Sequence, residues 1–200
     1  MNSISVVVTA TNDVLRGCGF PAAPPGRIVA GMIHPTARRL GLLTGIEEPE
    51  AWLALARTYG DLALKHAGRA ELYPGIQAML GTLADRGRFM AVVSNSEGAF
   101  IRGILTRLGV AARFRAIIGE DDMAAPKPDP GGVLASLAVC GRDPARTAYV
   151  GDSATDLATA RAAGVHAVGV TWGPQSRAEL EPLGFDALVA APAELVDLVG

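Results

Sequence analysis

The chain has 200 residues, half of them hydrophobic and only 5% aromatic, with a formal net charge of −2 made of interspersed acids and bases. That length can bury a sizeable core and suits one domain with a smaller companion. The charge pattern lacks the basic stripe of a nucleic-acid binder, the apolar runs are too short to cross a bilayer, and no signal-peptide layout is visible, so neither nucleic acid nor membrane is expected as a partner and the expected location is cytoplasmic. Cys18 and Cys140 lie far apart without metal-ligand spacing and are expected to be free, buried thiols in a reducing compartment.

The first predicted element is a helix. Ile4, Val7, Val8, Thr11, Val14, Leu15 and Cys18 follow the i, i+3, i+4, i+7 spacing of one helix face, with Ser3 placed to cap its start and Gly19 to end it. The run Val6-Val7-Val8 favours a strand locally, but the helical period extends over fifteen positions while the valines cover three. Pro21, Pro24 and Pro25 break that helix. A second helical stretch spans about residues 26–42, interrupted near 31–35. Pro49 opens a long helix to about Ala67, with Trp52, Leu55, Ala56, Tyr59, Leu62 and Ala63 on one face. No strand is expected before about Arg69.

After Pro74 the pattern alternates. Helices near 76–85, 99–108, 132–140 and 156–163 precede strands at 88–93, 114–118, 147–150 and 167–170 in turn, and a last strand at 187–189 precedes a terminal helix. Alternation of this kind predicts an α/β fold with a mostly parallel, doubly wound sheet.

Three segments carry chemistry. Val150-Gly151-Asp152-Ser153-Ala154-Thr155-Asp156 sets two carboxylates four positions apart directly after an apolar strand, with Gly151 expected to make a tight turn. Carboxylates converging at the carboxyl edge of a parallel sheet suit Mg²⁺, while the same residues also suit a helix cap and dipole partner with no metal involved. Ser94-Asn95-Ser96 follow an earlier strand, either as donors to a phosphate oxygen or as an ordinary turn. Lys127 sits in Ala125-Pro126-Lys127-Pro128-Asp129-Pro130, where flanking prolines stiffen the backbone and aim its ammonium; the alternative is a solvated loop lysine.

The ordered triplet of hydroxyl, held lysine and Gly-Asp-x-x-x-Asp, together with the junction Leu72-Tyr73-Pro74-Gly75, resembles the haloacid-dehalogenase-like hydrolase superfamily in its phosphoglycolate-phosphatase-like branch, over nearly the whole chain. The resemblance implies a Rossmann-like core over residues 73–200 and a helical cap domain over residues 1–72. It implies Mg²⁺-dependent hydrolysis of a small phosphorylated metabolite through an aspartyl-phosphate. By the same likeness Ser94 and Asn95 bind the phosphoryl group, Lys127 balances charge on nucleophile and phosphate, and Asp152 and Asp156 hold the metal. Ser94 and Lys127 are thereby the catalytic pair. The cap would select substrate, with Arg27, His34, Arg38 and Arg39 as its basic residues and 31–35 as the loop expected to face the core; solvated helix charges are the plain alternative for the arginines.

One part of the family pattern is absent. Its members open on a strand ending in Asp-x-Asp-Gly-Thr, whose first aspartate attacks phosphorus and whose second moves the proton, and no such string occurs in this sequence. Met1-Asn2-Ser3 resemble the residues that follow it, which puts the nucleophile upstream of Met1 and the first core strand outside the chain. Asp13, set in a helical pattern with no preceding strand, does not substitute. The expectations are little or no turnover by these residues alone, marginal stability, and a sheet with either an unfilled slot or direct pairing between the strands that end at Val93 and Val150. Kindred readings are 2-haloacid dehalogenation, disfavoured by Asp152 next to Gly151, a phosphoglucomutase-like reaction differing in its cap contacts, and a pseudoenzyme that binds phosphate or a protein partner.

Overall fold

The computed structural model describes residues 1–199, and its first part is helical throughout. Helix α1 runs Ile4–Gly17, α2 Pro25–Ala30, α3 Thr36–Thr44 and α4 Pro49–His66. The long period wins over the valine run: Val6, Val7, Ala10, Val14 and Leu15 are all buried along α1, so packing overrides the local β preference. Ser3 occupies the N-cap position without using its side chain; Asn2 Oδ1 accepts the Ile4 N–H instead, at 3.3 Å. At the far end Gly19 adopts φ +80°, its N–H reaches the Arg16 carbonyl, and the Phe20 N–H reaches that of Leu15. A residue with a Cβ would be strained there. Beside it Cys18 is exposed rather than buried, because the helix ends on the surface; Cys140 is partly buried, and both are free thiols.

The proline-rich turn is held by buried Asn12, whose Oδ1 accepts the Ala23 N–H at 2.8 Å and whose Nδ2 donates to the Ala23 carbonyl at 3.2 Å. Asp13 lies mid-helix as expected, 2.8 Å from His66 Nε2 on α4. Between α2 and α3 the predicted interruption is a single 3-10 turn, Gly31–Ile33. Trp52 on α4 packs against Gly41 on α3, where a Cβ would stand 2.2 Å from the indole Nε1, which itself donates to the Ile46 carbonyl at 2.7 Å. Asn2 and Glu71 form an antiparallel bridge, so the helical segment begins and ends at one place.

The rest of the chain alternates: α5 Ile76–Asp85, β1 Ala91–Val93, α6 Gly98–Arg107, β2 Ala116–Ile118, α7 Gly131–Cys140, β3 Ala148–Gly151, α8 Ala154–Ala163, β4 His166–Val170, α9 Arg177–Leu180, β5 Ala187–Val189 and α10 Pro192–Val199. Every strand pairing is parallel. The expected single sheet is two sheets, β1 with β2 and, separately, β4 between β3 and β5. Of the two arrangements expected between Val93 and Val150, direct pairing is therefore not the one adopted: β1 pairs with β2 alone and β3 with β4 alone among the described residues.

Helices cover both faces of the larger sheet. Successive residues of a strand point to opposite sides. Ala167 accordingly packs with Val133, Leu137, Ala160 and Ala163 from α7 and α8, while Val168 and Val170 pack with Leu195 of α10. The helical segment is joined to this body through a shared cluster in which Val6, Ala10, Leu40, Leu55, Tyr59 and Ala63 meet Phe100 and Ile104 of α6.

Candidate active site

Both strand ends that carry the motifs lie at the carboxyl edges of parallel strands, where α/β proteins place ligands. Just past β1, the Ser94 N–H continues the ladder to the Ile118 carbonyl at 3.0 Å, and the Ser94 hydroxyl accepts the Ser96 N–H at 3.2 Å. Asn95 reaches across to the loop between β2 and α7. Its Oδ1 accepts the Lys127 N–H at 2.8 Å, and its Nδ2 donates to the Lys127 carbonyl at 3.2 Å. The lysine backbone is thus gripped on both sides, and its side chain runs to α8, where Nζ stands 2.7 Å from Asp156 Oδ1. The Lys127 side chain is largely covered, 14% exposed, and that of Asp156 is buried, 8% exposed.

Asp156 is surrounded by donors. Tyr149 Oη lies 3.3 Å from Oδ1, while Ser153 Oγ at 2.6 Å and the Asp152 N–H at 3.2 Å meet Oδ2. Ser153 has a second duty: it is the N-cap of α8, and its Oγ accepts the Asp156 N–H at 3.2 Å. Gly151 is required by closeness rather than by a turn. It is the last residue of β3, its φ is not in the left-handed region, and a Cβ there would lie 2.3 Å from Asp156 Cβ. Asp152 projects from the loop toward Gly173, where a Cβ would come within 2.2 Å of its Oδ2.

The charges fall into a clear order. Burial would push the Lys127 ammonium down, but the Asp156 carboxylate and Tyr149 outweigh it and hold the group protonated, above its ordinary value. Burial likewise works against Asp156, and Lys127, Ser153 and the Asp152 N–H more than reverse it, so that carboxylate is held below its usual range. Asp152 goes the other way, up to about 6, first through burial and then through the Asp156 charge beside it. Burial also pushes Tyr149 up to about 12. Two carboxylates four residues apart therefore differ in kind: one is ionised and saturated with donors, the other is costly to ionise without an added cation.

The family model for haloacid dehalogenase-like hydrolases matches residues 1–170. The chain belongs to that family. Among curated relatives, phosphoglycolate phosphatase of Rhodospirillum rubrum is 36% identical over 161 residues, which cover 80% of this chain and 66% of that one. Phosphoglycolate phosphatase 1 of Pseudomonas aeruginosa is 38% identical over 130 residues, 64% of this chain and 46% of that one. The chain thus spans about half to two thirds of the length of these relatives. A solved structure from Bacteroides fragilis aligns with a TM-score of 0.90 at 26% identity, over 97% of this chain and 93% of that one. A haloacid dehalogenase-like family hydrolase of Streptococcus pneumoniae has a TM-score of 0.86 at 18% identity, covering 100% and 92%, a likeness of fold alone.

In this haloacid dehalogenase-like chain the structure brings Asn95, Lys127, Asp152 and Asp156 into one connected group, with Ser94 adjoining through Asn95. Among the described residues the Ser94 hydroxyl makes no hydrogen bond to Lys127, Asp152 or Asp156. Two of the expected ligand residues also hold neighbouring groups. Asp156 oxygens are taken up by Lys127, Tyr149, Ser153 and the Asp152 N–H, and the Asn95 amide is engaged with the Lys127 backbone. No group of three or more His, Cys, Asp or Glu converges among the described residues.

Tyr149, Ser153 and Gly173 are site residues that the sequence reading passed over. Tyr149 had a signal, since it lies two positions before Gly151 and so shares a strand face with it. Ser153 had one too, in the Ser-x-x-Asp spacing of a helix start. Gly173 had none, because its contact with Asp152 is made across a loop. Of the four basic residues of the helical segment, Arg27 and Arg38 are exposed, His34 is partly buried, and Arg39 is 5% exposed, its guanidinium 5.0 Å from the centre of the Tyr59 ring.

Proposed function

We propose that this chain provides the phosphate-binding and charge-stabilising machinery of a Mg²⁺-dependent phosphatase for small phosphorylated metabolites, phosphoglycolate among them, with residues 1–72 as a cap over the core of residues 73–200. The observation that carries the reading is Lys127, gripped at its backbone by Asn95 and at its ammonium by Asp156, on the rim that also bears Ser94 and Asp152. An ammonium fixed at both ends is preorganised for an anion that gains charge during reaction. The phosphoglycolate phosphatases of R. rubrum and P. aeruginosa supply the substrate class.

The donors suit Mg²⁺. Asp152 has oxygens not engaged by neighbouring side chains, a cradle at Gly173 that any Cβ would fill, and a carboxylate that burial and Asp156 hold up to about 6 without a cation. Mg²⁺ is commonly held by one or two carboxylates, with water and substrate phosphate completing the shell. When bound, it neutralises charge on the phosphoryl oxygens. Asp152 is the ligand in this reading, and Asp156 is a positioning residue that keeps Lys127 protonated and pointed. Lys127 and the Ser94 hydroxyl meet the phosphoryl oxygens, Asn95 positions the lysine loop, and Tyr149 walls the pair from water.

The proposal gives these 200 residues binding with little turnover. In-line attack on phosphorus takes a free carboxylate. Asp156 is engaged by four donors and Asp152 is assigned to the metal. The test is Mg²⁺-dependent hydrolysis of phosphoglycolate by this chain and by a form carrying an added N-terminal strand that ends in Asp-x-Asp-Gly-Thr. Hydrolysis by the longer form alone, lost in Lys127→Ala and on removing Mg²⁺, is the expected result. Equal turnover by both forms overturns the assignment of roles, and phosphate binding without hydrolysis in either points to a binding protein instead.

A further inference from the structure

Helix α7, Gly131–Cys140, is the only α-helix among those described that carries no charged residue. One side of it is core, with Gly132, Val133, Ser136 and Leu137 buried. The other side is Leu134, Ala135, Ala138 and Val139, spaced i, i+1, i+4, i+5 and so sharing one face, and all four are exposed. Leu134 is 46% exposed and Val139 63%, the highest value of any large hydrophobic residue described. A helix that is apolar all round is ordinarily covered on every side, and nothing in the chain covers this outward face.

The two ends of the face carry opposite charges. Before the helix Asp129 is exposed; its Oδ1 accepts the Gly131 N–H at 2.8 Å, and its other oxygen has no hydrogen-bond partner among the described residues. Past the helix Arg142 is exposed, with its guanidinium 4.0 Å from the centre of the Phe89 ring, which also carries Arg115 at 4.9 Å. The ring steadies that guanidinium and leaves its in-plane donors unused. No carboxylate lies within ion-pairing distance of Arg142 among the described residues, and Asp143 beside it accepts the Ala145 N–H instead, at 2.9 Å.

An acid, an apolar stripe and a base in that order are complementary to their own reverse. Two copies of α7 laid antiparallel about a two-fold axis set Val139 against the partner's Leu134, Ala138 against the partner's Ala135, and Arg142 near the partner's Asp129, every contact being made twice. Alanines at the centre let the helices approach closely, and the antiparallel dipoles attract. Parallel pairing would instead bring like charges together.

We propose that α7 is the self-association face of this chain, a two-fold antiparallel contact between the outward stripes of two copies. A ten-residue helix is about 15 Å long, a small patch beside the roughly 800 Å² per partner of a standard interface, so the dimer is weak and reversible. The contact includes none of Ser94, Lys127 and Asp152, and it does not depend on the proposed reaction.

The test is sedimentation equilibrium of the 200-residue protein from about 10 µM to about 1 mM, where so small an interface assembles. A monomer–dimer equilibrium is expected, weakened about tenfold or more in Val139→Glu, which enters the contact twice. Asp129→Arg and Arg142→Asp should each weaken it about threefold or more, and the two together should return it to within about twofold of the parent. Leu53→Glu, at a 55% exposed leucine of α4, should leave it within about twofold. Helical circular dichroism should match the parent in each variant, and Val139→Glu, altered at an exposed position, carries the test should a charge reversal fail to fold. A parent that stays monomeric at the top of the range, growth beyond dimers, association that survives Val139→Glu or falls as far in Leu53→Glu, or charge reversals that fail to rescue each other overturns the proposal.

Discussion

Changing Asp156 to Asn keeps the shape of the side chain and removes its charge, leaving the Lys127 ammonium, 14% exposed, without the partner that stands 2.7 Å away. Breaking a buried ion pair from one side costs about 3–5 kcal/mol. Part of that returns through Asp152. Its carboxyl is held up to about 6, against 3.8 ordinarily, with burial the larger cause and the Asp156 charge the next. A rise of roughly two units corresponds to about 3 kcal/mol, and relieving the smaller share returns about 1 kcal/mol. The variant should therefore lose about 2–4 kcal/mol at pH 7. Urea unfolding of metal-free protein measures this, run beside Lys127→Met and the double variant. Because each single change strands the other charge, the double variant should cost less than the two singles together by about 2 kcal/mol or more. Additive losses, or a cost for Asp156→Asn below about 0.5 kcal/mol, would mean that the pair does not hold this part of the molecule together.

Three further outcomes follow from neighbouring contacts. Between about pH 4 and pH 6 folded Asp152 retains a proton that the unfolded chain has released, so its effect is to lower stability as pH rises through that window and to keep it lowered above; Asp152→Asn should exceed the parent by about 2–3 kcal/mol at neutral pH without metal and match it near pH 3, and a pH-independent difference would contradict the assignment. Gly173→Ala places a methyl against Asp152 and should weaken Mg²⁺ binding by about tenfold or more, read by calorimetry, alongside an overpacking cost of about 1–3 kcal/mol in unfolding; unaltered metal affinity counts against Asp152 as the ligand. Gly41→Ala drives a methyl into the Trp52 indole and should cost about 1–3 kcal/mol with a shift in tryptophan emission, and a variant as stable as the parent would show that α3 and α4 separate freely.

Elements governed by local period were legible in the sequence. The Ile4–Gly17 helix followed from apolar spacing despite its three valines, and the Ala187–Val189 strand matched to the residue. What escaped was set by contacts between distant positions. Lys127 and Asp156 are 29 residues apart, so the Gly-Asp-x-x-x-Asp spacing does not reveal that the second aspartate also faces the lysine. Nothing local to Asn95 reveals that its amide spans to the Lys127 backbone. Ser3 looked like a cap because its type is right, while Asn2, one residue earlier, makes the bond. Arg39 was one of four basic residues of a helical stretch, and only packing separates the buried one from its exposed neighbour Arg38.

The grip of Asn95 on Lys127 uses only main-chain atoms of the lysine. The loop's own anchorage therefore survives a change of side chain at 127, even where the partnership with Asp156 is lost. Arginine or an unnatural amine, which keep a positive charge for Asp156, can be exchanged there like bulbs in one socket, each reporting on the chemistry of its own tip rather than on a rearranged loop.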